Sequence, residues 1–247
     1  MFRSSARSKG SPAMKKDMNN RSNKTPDGEI DDCLISAPAK DDELIERKHQ
    51  QIAEGASRLF FEKGFHRATI REIALSCGMS MGQLYHYISS KDDVLFLVYK
   101  LMQRQWLNQL RNLGIDRLED PLERLEQALH ATLEYMVERK ELFLFVYTET
   151  KYLESSHLKA VLRMDDRNVV GFWRRLIEDV GLDVDKVGGV DFLANLISFL
   201  MVFLVMRGWN LKESTGAENI EALIAFIMRG LGLSERATEE RLKKRGI

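Results

Sequence analysis

Proline is almost missing from most of this chain. Only four occur in 247 residues, and Pro12, Pro26 and Pro38 all precede residue 45. After Pro121 there is none, so nothing in the last half of the sequence interrupts a helix. No alternation of apolar and polar residues persists, which leaves no pattern for a sheet. Cysteine is equally scarce. Cys33 and Cys77 give no disulfide framework, and a reducing cytoplasm fits that usage. Net charge is absent too, with 37 basic residues against 37 acidic ones. Whole-chain charge therefore does not advertise nucleic-acid binding, although a local basic footprint is compatible with it. No Gly-rich phosphate loop, nucleophile elbow or cysteine pair is found, so an enzyme has no chemistry to stand on. His130 and Glu134, four apart, come nearest to a metal pair, and His157 stands near Glu154. Neither has a second ligand pair, so both read as solvated side-chain pairs. No metal and no cofactor are expected.

Residues 1–44 differ from the rest. They hold Ser, Asn, Lys and Asp with no helical or strand period, and cannot bury enough apolar surface to fold alone. The basic start is followed by no apolar stretch, so it is not a signal peptide. Arg3, Arg7, Lys9, Lys15, Lys16, Arg21 and Lys24 face only Asp17, after which the sign reverses. A basic arm touching DNA is one reading. The expectation is the plainer one: a solvated tail, or an upstream start with Met14 or Met18 as the true beginning.

What is present is concentrated at Thr69–Lys91, TIREIALSCGMSMGQLYHYISSK. Thr69 with Glu72, Ser80 with Gln83, and Ser90 with Asp93 are three helix-start signals of the capping-box kind. Gly78 supplies a turn between the first two. Two short helices joined by a Gly-containing turn make a helix-turn-helix, here about residues 69–88. Met81, Leu84 and Ile88 fall on one stripe and should pack inward. Gln83, Tyr85, His86 and Tyr87 then point elsewhere, which suits a helix meeting phosphates and base edges. Lys91 stands where it can reach a phosphate. Spacing alone leaves open a small core helix with incidental aromatics.

The string IAEGASRLFFEKGFHRATIREIALSCGMSMGQLYHYISSKDDVL closely resembles the DNA-binding domain of TetR-family transcriptional regulators. The resemblance rests on Gly64-Phe65, Thr69, Ile73-Ala74, Gly78-Met79-Ser80, Leu84-Tyr85 and Ser90-Lys91-Asp92. It implies operator contacts at Thr69, Arg71, Met81, Gly82, Gln83, Tyr85, His86, Tyr87 and Lys91. Met81 stands where many members carry Lys or Arg, and Tyr87 where many carry His or Phe.

Helical spacing continues on both sides. A first helix is expected from about Leu44 to Lys63, and a fourth from Lys91 to about Leu113, with Gly114 as its stop. Further helices are expected at 122–136, 142–153, 158–180, 190–211 and 217–231. The residue organisation is then a tail (1–44), a DNA-binding domain (45–106), a helical regulatory and dimerisation domain (107–233) and a charged end (234–247). The run FLANLISFLMVFLVM at 192–206 is uncharged but only about 15 residues long, short of the roughly 18 a membrane span needs. A helix apolar all round is otherwise a buried one.

The fold expected is all-α: a three-helix DNA-binding domain followed by antiparallel helices. The family resemblance implies a homodimer joined by a four-helix bundle, with Ile220, Leu223, Ile224, Ile227 and Met228 as the apolar seam of the last helix. It also implies a small molecule held between helices of the second domain. Trp106, Phe143, Tyr147, Phe172, Trp173, Phe199 and Phe203 are candidate lining residues, with Asn195 and Arg207 as polar groups near them. The function implied is a repressor on a double-stranded operator, released by a hydrophobic effector such as an acyl or aromatic thioester. The competing reading is a constitutive DNA-binding protein whose last helices form a protein-interaction module without a pocket. A cavity of a few hundred Å³ among the later helices separates the two.

Overall fold

The structure is a computed structural model and describes residues 42–211 and 214–233. The N-terminal arm and the charged C-terminal end lie outside the described residues. Eleven α-helices order the described residues: α1 (Asp42–Lys63), α2 (Ile70–Ser76), α3 (Met81–Tyr85), α4 (Lys91–Asn112), α5 (Pro121–Glu138), α6 (Lys140–Glu149), α7 (Ser155–Asp165), α8 (Gly171–Val180), α9 (Gly189–Met201), α10 (Phe203–Arg207) and α11 (Gly216–Gly230). There is no strand among the described residues.

The three capping boxes form as the sequence spells them. Thr69, Ser80 and Ser90 each accept from the backbone three residues on, and Glu72, Gln83 and Asp93 each answer at the cap's own amide. Each exchange satisfies two amides that a helix start leaves without partners. Gly78 takes φ +65°, the left-handed turn that only glycine adopts at no steric cost. Gly55 serves α1 differently. A Cβ there would stand 2.7 Å from Cys77 Sγ and 2.9 Å from the Ser76 carbonyl oxygen. Its bare backbone lets α1 cross close against the end of α2.

One hydrophobic core runs through the molecule. In the N-terminal part Ile52, Ala56, Phe60, Ile73 and Leu84 are buried together; further on, Leu125, Leu129, Leu133, Trp173 and Ile177 are. α4 joins the two parts. It packs on α1 at one side and on α5 and α7 at the other. It also runs unbroken through residue 106, the domain boundary expected from the sequence. α5 is the centre of the second part, against α8, α9 and α11.

Two expected long helices are interrupted. The one expected at 158–180 is α7 and α8 joined by a π-turn, Asp166–Val170. That extra residue turns Asn168 inward, where its Nδ2 donates to Gln103 Oε1 on α4 at 2.9 Å. The apolar helix expected at 190–211 breaks at Val202, whose amide bonds to the Phe199 carbonyl three residues back. Just before it, Ser198 Oγ donates to the Ala194 carbonyl at 2.7 Å, a back-bond of the kind that bends helices.

Candidate DNA-binding face and ligand cavity

α3 presents Met81, Gly82, Gln83, Tyr85 and His86 to the outside, and buries Leu84 and, just beyond its end, Ile88. Thr69 and Arg71 are exposed beside it at the start of α2. Two expectations need correcting. Met81 does not pack inward; it is 43% exposed, because it opens the helix at the turn where there is no core to meet. Tyr87 does not stand free; it is half-buried, and its carbonyl accepts from His49 Nε2 at 3.1 Å. Burial lowers the pKa of His49, which favours the neutral ring that makes this bond.

Glu72 binds the face together. Its carboxylate accepts from the Thr69 amide at 2.9 Å and the Thr69 hydroxyl at 2.6 Å, and it pairs with Lys63 of α1. The Lys63 ammonium first, then Thr69, hold its pKa down to about 2. Lys91 is not simply pointing into solvent. Its Nζ donates to the His66 carbonyl at 3.3 Å and lies 4.4 Å from the centre of the Phe65 ring. Burial lowers its pKa from the ordinary lysine value.

A cavity of about 430 Å³ lies between α4, α5, α6, α7, the π-turn, α8 and α9. Of the residues expected to line it, Trp106, Phe143, Tyr147, Trp173, Asn195 and Phe199 do. Phe172, Phe203 and Arg207 do not. Phe172 packs edge-on to Trp106 behind the wall, at 5.3 Å between ring centres. Phe203 lies past the break at Val202, on α10, which rotates it away. The Arg207 guanidinium sits 5.7 Å from the centre of the Trp209 ring.

The polar lining was the part missed. Tyr99, Gln103, Thr132, Asp165 and Ser198 all reach the cavity. Tyr99 and Gln103 lie four apart on α4, a spacing that places both on one face. That signal was readable, but both sit inside an apolar stretch that reads as core.

Comparison with known proteins fits this arrangement. Residues 52–98 match the family model described as bacterial regulatory proteins, tetR family. The HTH-type transcriptional regulator HbdR of Aromatoleum sp. (strain CIB) is 31% identical over 200 residues, spanning 80% of this chain and 83% of that protein. The chain belongs to the TetR family of bacterial transcriptional regulators. YerO of Bacillus subtilis (strain 168), an uncharacterised HTH-type regulator, is 27% identical over 202 residues, spanning 78% of this chain and 68% of YerO. Among solved structures, PfmR from Thermus thermophilus matches with a TM-score of 0.55 at 21% identity, covering 73% of this chain and 98% of PfmR. AibR, solved with isovaleryl coenzyme A and operator DNA, matches with a TM-score of 0.55 at 18% identity, covering 72% of this chain and 97% of AibR. These two show a shared fold.

Within this TetR-family fold the residues expected at the dimer seam turn into the subunit. Ile220, Leu223, Ile224, Ile227 and Met228 are all buried inside the subunit, since α11 lays that face on α5. The outward apolar residue of α11 is Phe226, 62% exposed, and α9 adds Phe192, Leu196 and Phe199. The apolar helical span is longer than the 15 uncharged residues at 192–206. Gly189–Asn210 is 22 residues, long and apolar enough by composition to cross a bilayer. α9 and α10 rest on α5, α6 and α8 on one side, yet only 28% of that apolar window is buried within the subunit, which leaves an apolar face uncovered. The His157 reading changes as well. The side chain is buried and bonded to Asp93, and is no solvated surface pair. His130 faces Glu221 of α11 at 3.6 Å.

Proposed function

We propose that this TetR-family regulator is a cytoplasmic homodimeric repressor. Thr69, Arg71, Met81, Gly82, Gln83, Tyr85, His86, Tyr87 and Lys91 meet the operator. A small, mostly hydrophobic effector in the cavity releases it, and acyl and aromatic thioesters are the class to try first. The observation that carries this is α4. Its first turn abuts the DNA-binding face at Lys91, and further along it gives Tyr99, Met102, Gln103 and Trp106 to the cavity wall. A ligand that fits one placement of α4 better than another shifts the population between two spacings of the recognition helices. Those helices must stand about 34 Å apart, one turn of DNA, in a competent dimer.

A second link supports the same coupling. His66, in the turn between α1 and α2, faces Glu149 of α6 at 3.5 Å and lies edge-on to Tyr152, 4.8 Å between ring centres. The pocketless protein-interaction reading is weaker, since a cavity within the usual size range for small ligands stands among the later helices. The test is to sequence DNA fragments retained by the purified protein, then titrate the recovered site against a panel of thioesters. Release by at least tenfold for some members is expected. Operator affinity indifferent to the whole panel, and unchanged when the cavity is filled by Ser198→Trp, would favour the constitutive reading.

A further inference from the structure

The cavity wall contains an acid with an unusual setting. Asp165 ends α7, is half-buried, and opens onto the cavity. Its Oδ1 accepts from the Tyr99 hydroxyl at 2.9 Å. Tyr99 in turn accepts from Gln103 Nε2 at 3.0 Å, and Gln103 Oε1 accepts from Asn168 at 2.9 Å. The chain Asn168, Gln103, Tyr99 and Asp165 therefore runs in one direction, every donor pointing toward the carboxylate. It fixes the side chain and satisfies one of its oxygens. Oδ2 has no donor among the described residues. Nor does Asp165 form an ion pair with a Lys, Arg or His among them, and the charge beside it is another acid, Asp166. Burial raises its pKa above the usual carboxylate value, which marks a site that disfavours an uncompensated negative charge.

A carboxylate held this way on a mostly apolar wall needs something from the occupant. A plain saturated acyl chain offers it nothing, and an anionic head placed there would be repelled. The geometry points to a ligand that brings a hydrogen-bond donor, a hydroxyl or an ammonium, to Asp165. This rests on the cavity being the effector site and narrows the effector class. An acyl thioester would then be one whose acyl part carries a hydroxyl or an amine. Lys151 is exposed and supplies the basic group among the described lining residues, which suits an anionic end pointing out.

The test needs no knowledge of the natural effector. Four probes of one chain length are titrated into the full-length protein: decylamine (as its ammonium), 1-decanol, decyl methyl ether and decanoate. Intrinsic fluorescence reports binding, because Trp106 and Trp173 line the cavity. The expected order of affinity is decylammonium, then decanol, then the ether, then decanoate, with at least tenfold between first and last. Asp165→Asn should collapse the ammonium-to-carboxylate preference to within about threefold, a change of at least about 0.7 kcal/mol. Tyr99→Phe, which leaves Asp165 in place without its donor, should keep the preference for decylammonium or increase it. Circular dichroism melts confirm that both variants are folded. Decanoate binding as tightly as decylammonium, or an order unmoved by Asp165→Asn, overturns the inference while leaving the cavity reading intact. Failure of all four probes to bind overturns both.

Discussion

Asp93 of α4 and His157 of α7 meet at 2.6 Å inside the protein. Asp93 has two tasks there. Its Oδ2 caps the start of α4, accepting from the Ser89 amide at 2.6 Å and the Ser90 amide at 3.0 Å. Its Oδ1 accepts from the imidazole. One carboxylate thus ties the first turn of α4 to α7. Asp92 adds a parallel tie by accepting from the Glu154 amide at 2.8 Å.

His157→Ala should destabilise the protein by about 2 kcal/mol, since it leaves part of a buried carboxylate without its partner and opens a void beside Phe96. Urea unfolding measures it. A loss below about 0.5 kcal/mol, the size of an ordinary surface change, would mean the pair contributes little to holding α4 against α7.

Lys91→Ala should weaken operator binding and lower the slope of log affinity against log salt by about one unit, the loss of one phosphate contact. The ammonium now rests on the His66 carbonyl and the Phe65 ring, so the substitution also removes a tie to the loop before α2. Gel-shift titrations at several salt concentrations separate these effects. An unchanged slope with reduced affinity would show that Lys91 acts only by positioning that loop.

The helix-turn-helix was legible because its information is local. Each of its helices announces itself through a cap and an acid or amide three residues on, and the turn needs Gly78 at positive φ. The cavity was half legible. Aromatic residues such as Trp106 and Phe143 stand out, whereas Asp165 looks like any charged residue near a helix end until Tyr99 arrives from 66 positions away. The role of the α11 stripe was not legible for a related reason. Spacing finds the apolar stripe of α11, but does not say whether it meets α5 of its own chain or another subunit. The stripe with the most aliphatic residues went to the core, and Phe226 was left outside.

Ile224→Asp should unfold the subunit, because it buries a carboxylate against α5 at a cost of about 4 kcal/mol or more. Phe226→Asp should leave each subunit folded and, if the exposed faces of α9 and α11 form the proposed homodimer, produce monomers without specific operator affinity. Light scattering and circular dichroism on the two variants distinguish the outcomes. A folded, monomeric Ile224→Asp protein would restore the original seam. A dimeric Phe226→Asp protein would move the interface elsewhere.

Lys100 gives a prediction in pH. It is buried on α4, paired with Glu46 of α1 at 3.1 Å, and Glu46 also holds Arg104. The pair does not offset the loss of water. Burial first, and the neighbouring Arg104 next, bring the ammonium down from the ordinary 10.5 to about 8. The unfolded chain keeps its proton up to about 10.5, so between these values it holds more protons than the folded one. Stability contributed by this group therefore rises with pH through that window, and below it the full cost of burying the charge remains. Lys100→Met removes the charge and leaves Arg104 to pair with Glu46. The variant should be more stable than the wild type at pH 7 by about 1 kcal/mol, because it removes the cost of burying the ammonium while Arg104 and solvent keep Glu46 from becoming the unpaired buried charge that loss of one partner usually leaves. Its advantage should shrink as the pH is raised toward 10. Thermal melts of both proteins across that range measure the difference. A variant less stable at pH 7 would show that the bond to Glu46 outweighs the burial of the ammonium, and a constant advantage would show that Lys100 does not titrate in this window.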